Sequence, residues 1–253
     1  MRFRILLLAL GTFAIGTDGF VIAGILPNIA HDLNISIALA GFLVTAFSLV
    51  YALGSPVLVA LTSSITQQRL LLLTLSVFVL ANVLAAVATS FFLLLIARMI
   101  AALSAALYTP SALTVATALV PNEKRGQALS LVTAGLTIAS VVGVPLGILM
   151  STQLNWRTTF LLVALLGVIA FVGILTLFPS VANQSAILLG KRLALLRQPA
   201  IVITLANTTV WAMGGYIVYT YLSSLLEHLT HLQGASISIM FLLFGLTGMI
   251  GTM

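Results

Sequence analysis

The chain contains 253 residues, of which 61% are hydrophobic and only 6% are charged, whereas an ordinary soluble domain carries about a quarter charged residues. With a mean hydropathy of +1.26, this composition excludes a water-soluble globular protein and also a disordered chain, which would be poor in apolar residues. The net charge of +6 comes from Lys and Arg spread thinly through apolar runs, so it indicates no nucleic-acid partner. The absence of Cys and of an H-E-x-x-H spacing leaves little material for a disulfide framework or a metal site.

Eight apolar segments are long enough to cross a bilayer, for which a helix needs about 20 residues. They cover residues 5–26, 37–60, 70–89, 91–119, 127–150, 158–178, 199–222 and 236–253. The first segment follows Arg2 and Arg4, as the apolar region of a signal peptide would, but it is longer than such a region. We therefore predict a retained first helix and an all-α membrane protein.

The basic residues predict how the chain is oriented, because cytoplasmic connections carry an excess of Lys and Arg. The opposite face holds only Arg157. The N-terminus is therefore predicted to be cytoplasmic, in a multi-pass protein of the cell's inner membrane. Residues 179–198 are predicted to be a cytoplasmic linker between a six-helix bundle, 1–178, and the next two helices, 199–253. The basic residues assigned to the cytoplasmic side are Arg2, Arg4, Arg69, Lys124, Arg125, Lys191, Arg192 and Arg197.

Two charged residues lie inside the predicted spans, Asp18 in the first and Arg98 in the fourth. A charge in the bilayer core costs from about 3 to over 10 kcal/mol, so such residues normally face inward and are functional. Both are about 10 to 13 Å below the external surface on antiparallel helices, where their side chains could meet. We predict a role in proton coupling, with protonation of Asp18 as the working event because arginine does not deprotonate. A purely structural ion pair is the alternative.

The fifth span carries the cluster Gly143, Pro145 and Gly147. Small residues let membrane helices approach closely, and proline removes a backbone donor and kinks a helix. A bent, closely packed fifth helix is therefore predicted.

The seventh span is too polar to face lipid on all sides, and Asn207, Trp211 and Tyr216 are its candidate substrate contacts. Aromatic and polar side chains of this kind suit a cavity for amphipathic molecules. An interfacial aromatic belt is the alternative, and it would account for Tyr219 and Tyr221 better than for Asn207 or Trp211.

Five regions of the chain carry recognisable motifs, and they are residues 13–27, 97–103, 121–128, 143–147 with 155–160, and 219–222. Together they resemble bacterial drug/proton antiporters of the major facilitator superfamily, in the branch of sugar, arabinose and chloramphenicol efflux permeases. Arg98 lies at the position of a fourth-helix arginine that this resemblance implicates in proton coupling. Residues 143–147 and 155–160 are similar to the fifth-helix antiporter motif and the loop after it.

The resemblance implies a twelve-helix fold of two six-helix halves, each built from two inverted three-helix repeats, with the binding site between the halves. This chain would supply the N-terminal half and helices seven and eight, so we expect a C-terminally truncated portion of the fold. The implied function is proton-coupled efflux of small amphipathic or sugar-like molecules. It needs the lipid bilayer, a substrate and protons, and no cofactor.

Two other functions are considered beside efflux. The chain could be a non-transporting truncated product, or a half that assembles with a second chain supplying the missing helices. An intramembrane enzyme is disfavoured, because a serine protease would need a histidine at membrane depth. His31, His228 and His231 all belong to predicted external connections.

Overall fold

The computed structural model describes residues 2–62, 64–178, 198–230 and 235–251, and within these ranges the chain forms helices and no strand. The all-α prediction is confirmed. Seven helices are long and apolar enough to cross a membrane, and an eighth has 17 residues. In chain order the spans are Arg2–Asp32, Ile37–Leu61, Gln67–Ala86, Phe91–Ala118, the segmented fifth span, Trp156–Leu177, Pro199–Thr230 and Ala235–Gly251. The fifth span consists of Arg125–Ile138, a π-helical turn at Ala139–Gly143, and Val144–Gln153.

The first helix continues through Pro27 to Asp32, beyond the end of the predicted apolar run. A proline removes one backbone hydrogen bond from a helix, but the turn after it is held in place here by Ile29 and Ala30, which are buried. The chain then turns at Asn34, which has a positive φ of 52°. Asparagine tolerates this left-handed conformation better than most residues.

The helix starts are set by polar residues between the spans. The side-chain oxygen of Ser36 accepts a hydrogen bond from the Leu39 N–H at 3.1 Å, and Ser90 accepts one from Leu93 at 3.3 Å. Asn155 caps the sixth span in the same way. Each cap satisfies a donor that has no partner inside its helix.

The first span lies at the centre of the bundle, in contact with the second, fourth, fifth, sixth and seventh spans. Its residues up to Ile15 belong to one apolar core cluster, and its residues from Val21 onward belong to another. Asp18 lies between these two clusters. The charge is therefore buried where the bundle is most enclosed.

The seventh and eighth spans attach to the bundle by hydroxyl groups and by one close helix contact. The hydroxyls of Tyr219, Ser223 and Ser238 donate to the main-chain carbonyls of Phe20, Gly24 and Pro145 at 3.3, 3.1 and 2.7 Å. The eighth span meets the fifth at Gly245, where an added Cβ would lie 2.8 Å from the Ser140 carbonyl oxygen. The backbones can approach this closely because Gly245 has no side chain.

Residues 179–197 of the predicted linker lie outside the described residues, as do Lys191, Arg192 and Arg197, on which part of the predicted orientation depends. The division into residues 1–178, 179–198 and 199–253 therefore stays a prediction.

Candidate functional site

An ion pair connects the first and fourth spans in the interior of the bundle. The Arg98 Nη1 atom donates to the Asp18 Oδ1 atom at 2.5 Å, and the side chains are 1% and 0% exposed. The structure therefore brings together the two charges that the sequence places at similar depth. Their role in proton coupling stays a prediction.

Two aromatic rings flank the arginine of this pair. The Arg98 Cζ atom lies 4.3 Å from the centre of the Phe47 ring and 6.0 Å from the centre of the Phe160 ring. A cation within about 6 Å of a ring centre is attracted by the negative ring face, most strongly where water is excluded. Phe47 and Phe160 are both buried, so they hold the guanidinium between the second and sixth spans.

Several polar atoms of this site have no hydrogen-bond partner among the described residues. They are Asp18 Oδ2, Arg98 Nε and Nη2, and the Oγ1 atom of the preceding residue Thr17. A carboxylate accepts several hydrogen bonds and a guanidinium donates up to five. The pair thus has spare capacity at a depth where most polar atoms are satisfied. It can bind a proton on the carboxylate or a polar group of a ligand beside the guanidinium.

The glycines of the fifth span lie directly against its neighbours. A Cβ added at Gly143 would collide with Thr17, and one added at Gly147 would collide with Val21 and lie 2.9 Å from the Thr159 Cγ2 atom. Thr159 donates to the Gly147 carbonyl at 2.8 Å, which joins the fifth and sixth spans. These contacts place the fifth helix close behind the residue that precedes Asp18.

The π-helical turn Ala139–Gly143 ends two residues before Pro145, which is buried. A π-turn has hydrogen bonds between residues five apart where an α-helix has them four apart, and it changes the helix direction locally. Pro145, two residues after this turn, lacks a backbone donor. The fifth span is thus irregular at its predicted position.

The structure separates the three candidate substrate residues of the seventh span. Asn207 and Trp211 are exposed, and Trp211 is 81% exposed. Tyr216 stacks on Phe20 of the first span, with ring centres 6.3 Å apart. Of the three, Tyr216 makes a ring contact with the first span, and the binding of substrate by all three stays a prediction.

Tyr219 does not belong to an interfacial belt, and that alternative is wrong for this residue. Its side chain is 8% exposed, its hydroxyl donates to the Phe20 carbonyl, and its ring packs edge-on against Phe241 at 5.3 Å. A belt residue would instead lie at headgroup level with one end in water. Tyr221 is 41% exposed.

None of the site residues predicted from the sequence is one of the aromatic residues that surround the pair, which are Phe20, Phe47, Tyr51 and Phe160. Phe47 stacks on Tyr51 at a centre distance of 6.4 Å. The spacing of four residues places Phe47 and Tyr51 on one face of a helix, and this was a usable signal. Nothing in the sequence, however, indicated that this face meets Arg98.

A second polar cluster lies at the predicted external end of the bundle, and we call Asp32, Ala88, Trp156 and Arg157 the external clasp. Arg157 donates to the Asp32 carboxylate at 2.7 Å and to the Ala88 carbonyl at 2.9 Å. The Trp156 indole also donates to Asp32 at 3.1 Å, and Arg157 lies over the indole ring at 4.2 Å. The clasp joins the end of the first span to the loop before the fourth span and to the start of the sixth span.

Within the described residues, no group of three or more His, Cys, Asp and Glu side chains could hold a metal ion. The chemistry open to the site is therefore that of one carboxylate, one guanidinium and the aromatic rings around them.

The sequence matches the Major Facilitator Superfamily over residues 8–253. It is 39% identical over 250 residues to the Uncharacterized MFS-type transporter YbcL of Bacillus subtilis, covering 98% of this chain and 64% of that one. It is 34% identical over 249 residues to the Chloramphenicol resistance protein of Streptomyces lividans, covering 97% of this chain and 64% of that one. The chain thus spans less than two thirds of the length of these relatives.

The fold is similar to that of solved transporter structures. A bacterial homologue of the human lysosomal transporter Spinster, in an inward-facing and unoccupied conformation, aligns with a TM-score of 0.80 at 18% identity. The alignment covers 96% of this chain and 58% of that one. At this identity the likeness concerns the fold alone.

Proposed function

Since the chain belongs to the Major Facilitator Superfamily, a family of membrane transporters, we propose that it is part of a proton-coupled exporter of small amphipathic molecules. The observation that carries this proposal is the buried Asp18–Arg98 pair, in which one carboxylate oxygen and two guanidinium nitrogens have no hydrogen-bond partner among the residues that the structure describes. Charges at this depth are costly and normally serve transport or proton movement.

Protonation of Asp18 would neutralise the carboxylate and leave Arg98 as an unpaired buried charge. Breaking a buried pair by removing one partner's charge costs about 3–5 kcal/mol. The protonated state would therefore favour a conformation in which Arg98 gains solvent or a ligand group, and the deprotonated state would restore the pair. This difference between states is what proton-driven alternating access requires.

The fifth span would let the bundle change shape next to the pair. Gly143 and Gly147 place its backbone against the first and sixth spans, and Pro145 with the π-turn interrupts its hydrogen-bond ladder. Helices interrupted in this way bend at defined positions. Motion of the fifth span would thereby reach Thr17 and Asp18.

We propose Asn207, Trp211 and Tyr216 as substrate contacts on the seventh span. Tyr216 already stacks on Phe20, two residues from Asp18. Asn207 and Trp211 are exposed and free to contact a molecule held beside the first span. The name of the relative from Streptomyces lividans supports drug-like molecules, and it makes chloramphenicol a reasonable first probe.

The proposed setting is the inner membrane, with a cytoplasmic N-terminus, a cytoplasmic linker at 179–198, and residues 199–253 as the start of a second helical bundle. The excess of basic residues on one side supports this orientation. The twelve-helix organisation implies that the remaining helices come from a longer form of this protein or from a second chain.

Transport by the full product of the gene tests the proposal. Cells expressing it should export chloramphenicol and the fluorescent probe ethidium, and a protonophore should abolish the export. Asp18→Asn should abolish it as well, whereas the matched change Glu123→Gln, at an exposed position, should leave it intact. Export that survives Asp18→Asn, or that follows a sodium gradient, would overturn the proposal.

A further inference from the structure

We propose that Phe47 is a positioning residue that couples ligand occupancy at an aromatic surface to the Asp18–Arg98 pair. We define the aromatic surface as Phe20, Tyr51 and Tyr216. The inference rests on the proposed function, because it assumes that the ion pair responds to protons. It adds the physical link between the place where a ligand would bind and the place where the proton would be held.

Phe47 contacts the arginine directly. The 4.3 Å between its ring centre and the Arg98 Cζ atom is well inside the range of a cation–π interaction. Phe47 is 9% exposed, and Gly19, the neighbour of Asp18, lies against its ring, where an added Cβ would be 3.7 Å from Cε1. The ring therefore touches the helix that carries Asp18 and the side chain that pairs with it.

On its other side Phe47 joins the aromatic surface. Its ring stacks on Tyr51 with an interplanar angle of 20°. Tyr216 stacks on Phe20 at an angle of 25°, and Phe20 is the chain neighbour of Gly19, which lies against the Phe47 ring. Two routes therefore lead from the aromatic surface through Phe47 to Arg98. One runs from Tyr51 by ring stacking, and the other runs from Tyr216 by way of Phe20 and Gly19.

The exposure of these rings shows where a ligand can enter. Tyr216 is 51% exposed, Phe20 and Tyr51 are half-buried, and Phe47 is buried. Flat aromatic faces that are partly exposed beside a buried charge suit an amphipathic molecule with an aromatic ring, which would stack there. Such a ligand would press on Tyr51, and the stacked Phe47 ring would move with it.

The second ring beside Arg98, that of Phe160, contacts the external clasp and not the aromatic surface. Phe160 is fully buried, its centre is 6.0 Å from Arg98, and it packs edge-on against Trp156 of the external clasp. Asp18 and Arg98 are the only charged side chains among the buried residues that the structure describes. Among the described residues, Arg98 therefore has Asp18 as its buried charged partner, and the remaining close interaction of its guanidinium is with Phe47.

A shift of the Phe47 ring would weaken its attraction for Arg98 and change how strongly Arg98 stabilises the Asp18 carboxylate. Ligand binding and proton binding would then be linked, and linkage of this kind is reciprocal. Phe47 would contribute to the size of the linkage without itself touching the proton.

The experiment compares proton release and ligand binding in the purified full product of the gene. Ethidium and chloramphenicol serve as probes, and a pH indicator in weakly buffered detergent solution reports protons released on probe binding. The variants are Phe47→Met, which keeps volume but removes the ring, and Phe47→Tyr, which keeps the ring. Phe42→Met is the matched control, because Phe42 is on the same helix and 50% exposed.

We expect the wild type, Phe47→Tyr and Phe42→Met to release protons when a probe binds. In Phe47→Met the probe should still bind, but the difference between its affinities at low and high pH should shrink. We expect that shrinkage to be about tenfold, the size of a typical coupling between sites. Because Phe47→Met could reduce folding, Tyr51→Leu provides a second break at the other side of Phe47, and it should uncouple proton release in the same way.

The outcomes separate the two proposals. If the wild type releases protons and both Phe47→Met and Tyr51→Leu release as many, the inference about Phe47 is wrong and the proposed function stands. If the wild type binds neither probe, or binds without releasing protons, the proposed function fails and the inference fails with it.

Discussion

Arg98 of the fourth span donates a hydrogen bond to Asp18 of the first across 2.5 Å, and both side chains are buried. The two residues are 80 positions apart in the chain. The pair therefore forms only when the helices have packed, and its energetics can be tested by changing one charge or both.

Removing one charge should cost far more stability than removing both. Arg98→Ala leaves Asp18 buried without a cation, and we expect the free energy of unfolding to fall by about 3–5 kcal/mol. The double change Asp18→Asn with Arg98→Gln removes both charges and should cost much less. Thermal unfolding in detergent measures both variants. A double variant as unstable as Arg98→Ala would contradict this account of the pair.

Gly143→Ala should destabilise the bundle by about 1–3 kcal/mol, the usual cost of overpacking. The new Cβ would collide with Thr17, which cannot retreat because it is fully buried. Gly126→Ala is the matched control, since an added Cβ there meets nothing within 4 Å. The melting temperature should fall for the first variant and stay level or rise for the second.

The external clasp should depend on the forked shape of arginine. Arg157→Lys cannot hold the Asp32 carboxylate and the Ala88 carbonyl with one planar group. Because both charged side chains are partly exposed, we expect a loss of only about 1 kcal/mol, with a smaller difference at high salt. An equal loss at low and high salt would show that the ion pair contributes nothing.

The orientation can be tested with single cysteines, because the chain contains none. Glu123→Cys and Leu154→Cys lie at opposite ends of the fifth span, and both positions are exposed. A membrane-impermeant thiol reagent added to intact cells should label Leu154→Cys and leave Glu123→Cys unlabelled. In inside-out vesicles the pattern should reverse, and any other result would invert the predicted topology.

The number of helices could be predicted because it follows from the lengths of the apolar segments. A span has a fixed minimum number of residues, and the rise per residue converts position into depth. The contact between Asp18 and Arg98 could therefore be predicted from the sequence.

The aromatic rings that surround the Asp18–Arg98 pair could not be predicted from the sequence. A membrane helix is apolar on all sides, so its sequence does not tell which side faces protein and which faces lipid. Phe47 faces Arg98, whereas Phe42 of the same helix is exposed. The amino-acid composition of the helix does not distinguish these two phenylalanines. The external clasp was missed for a related reason, since Asp32 and Arg157 were counted only as signs of topology.

The attachment of the seventh and eighth spans has a consequence for how the two parts of the molecule can diverge. Tyr219, Ser223 and Ser238 all donate to main-chain carbonyls of the bundle, and every residue type offers a carbonyl. The bundle can thus change its side chains at many positions and still provide the same acceptors. Hybrid proteins that join these two spans to the bundle of a related chain should therefore keep these three hydrogen bonds.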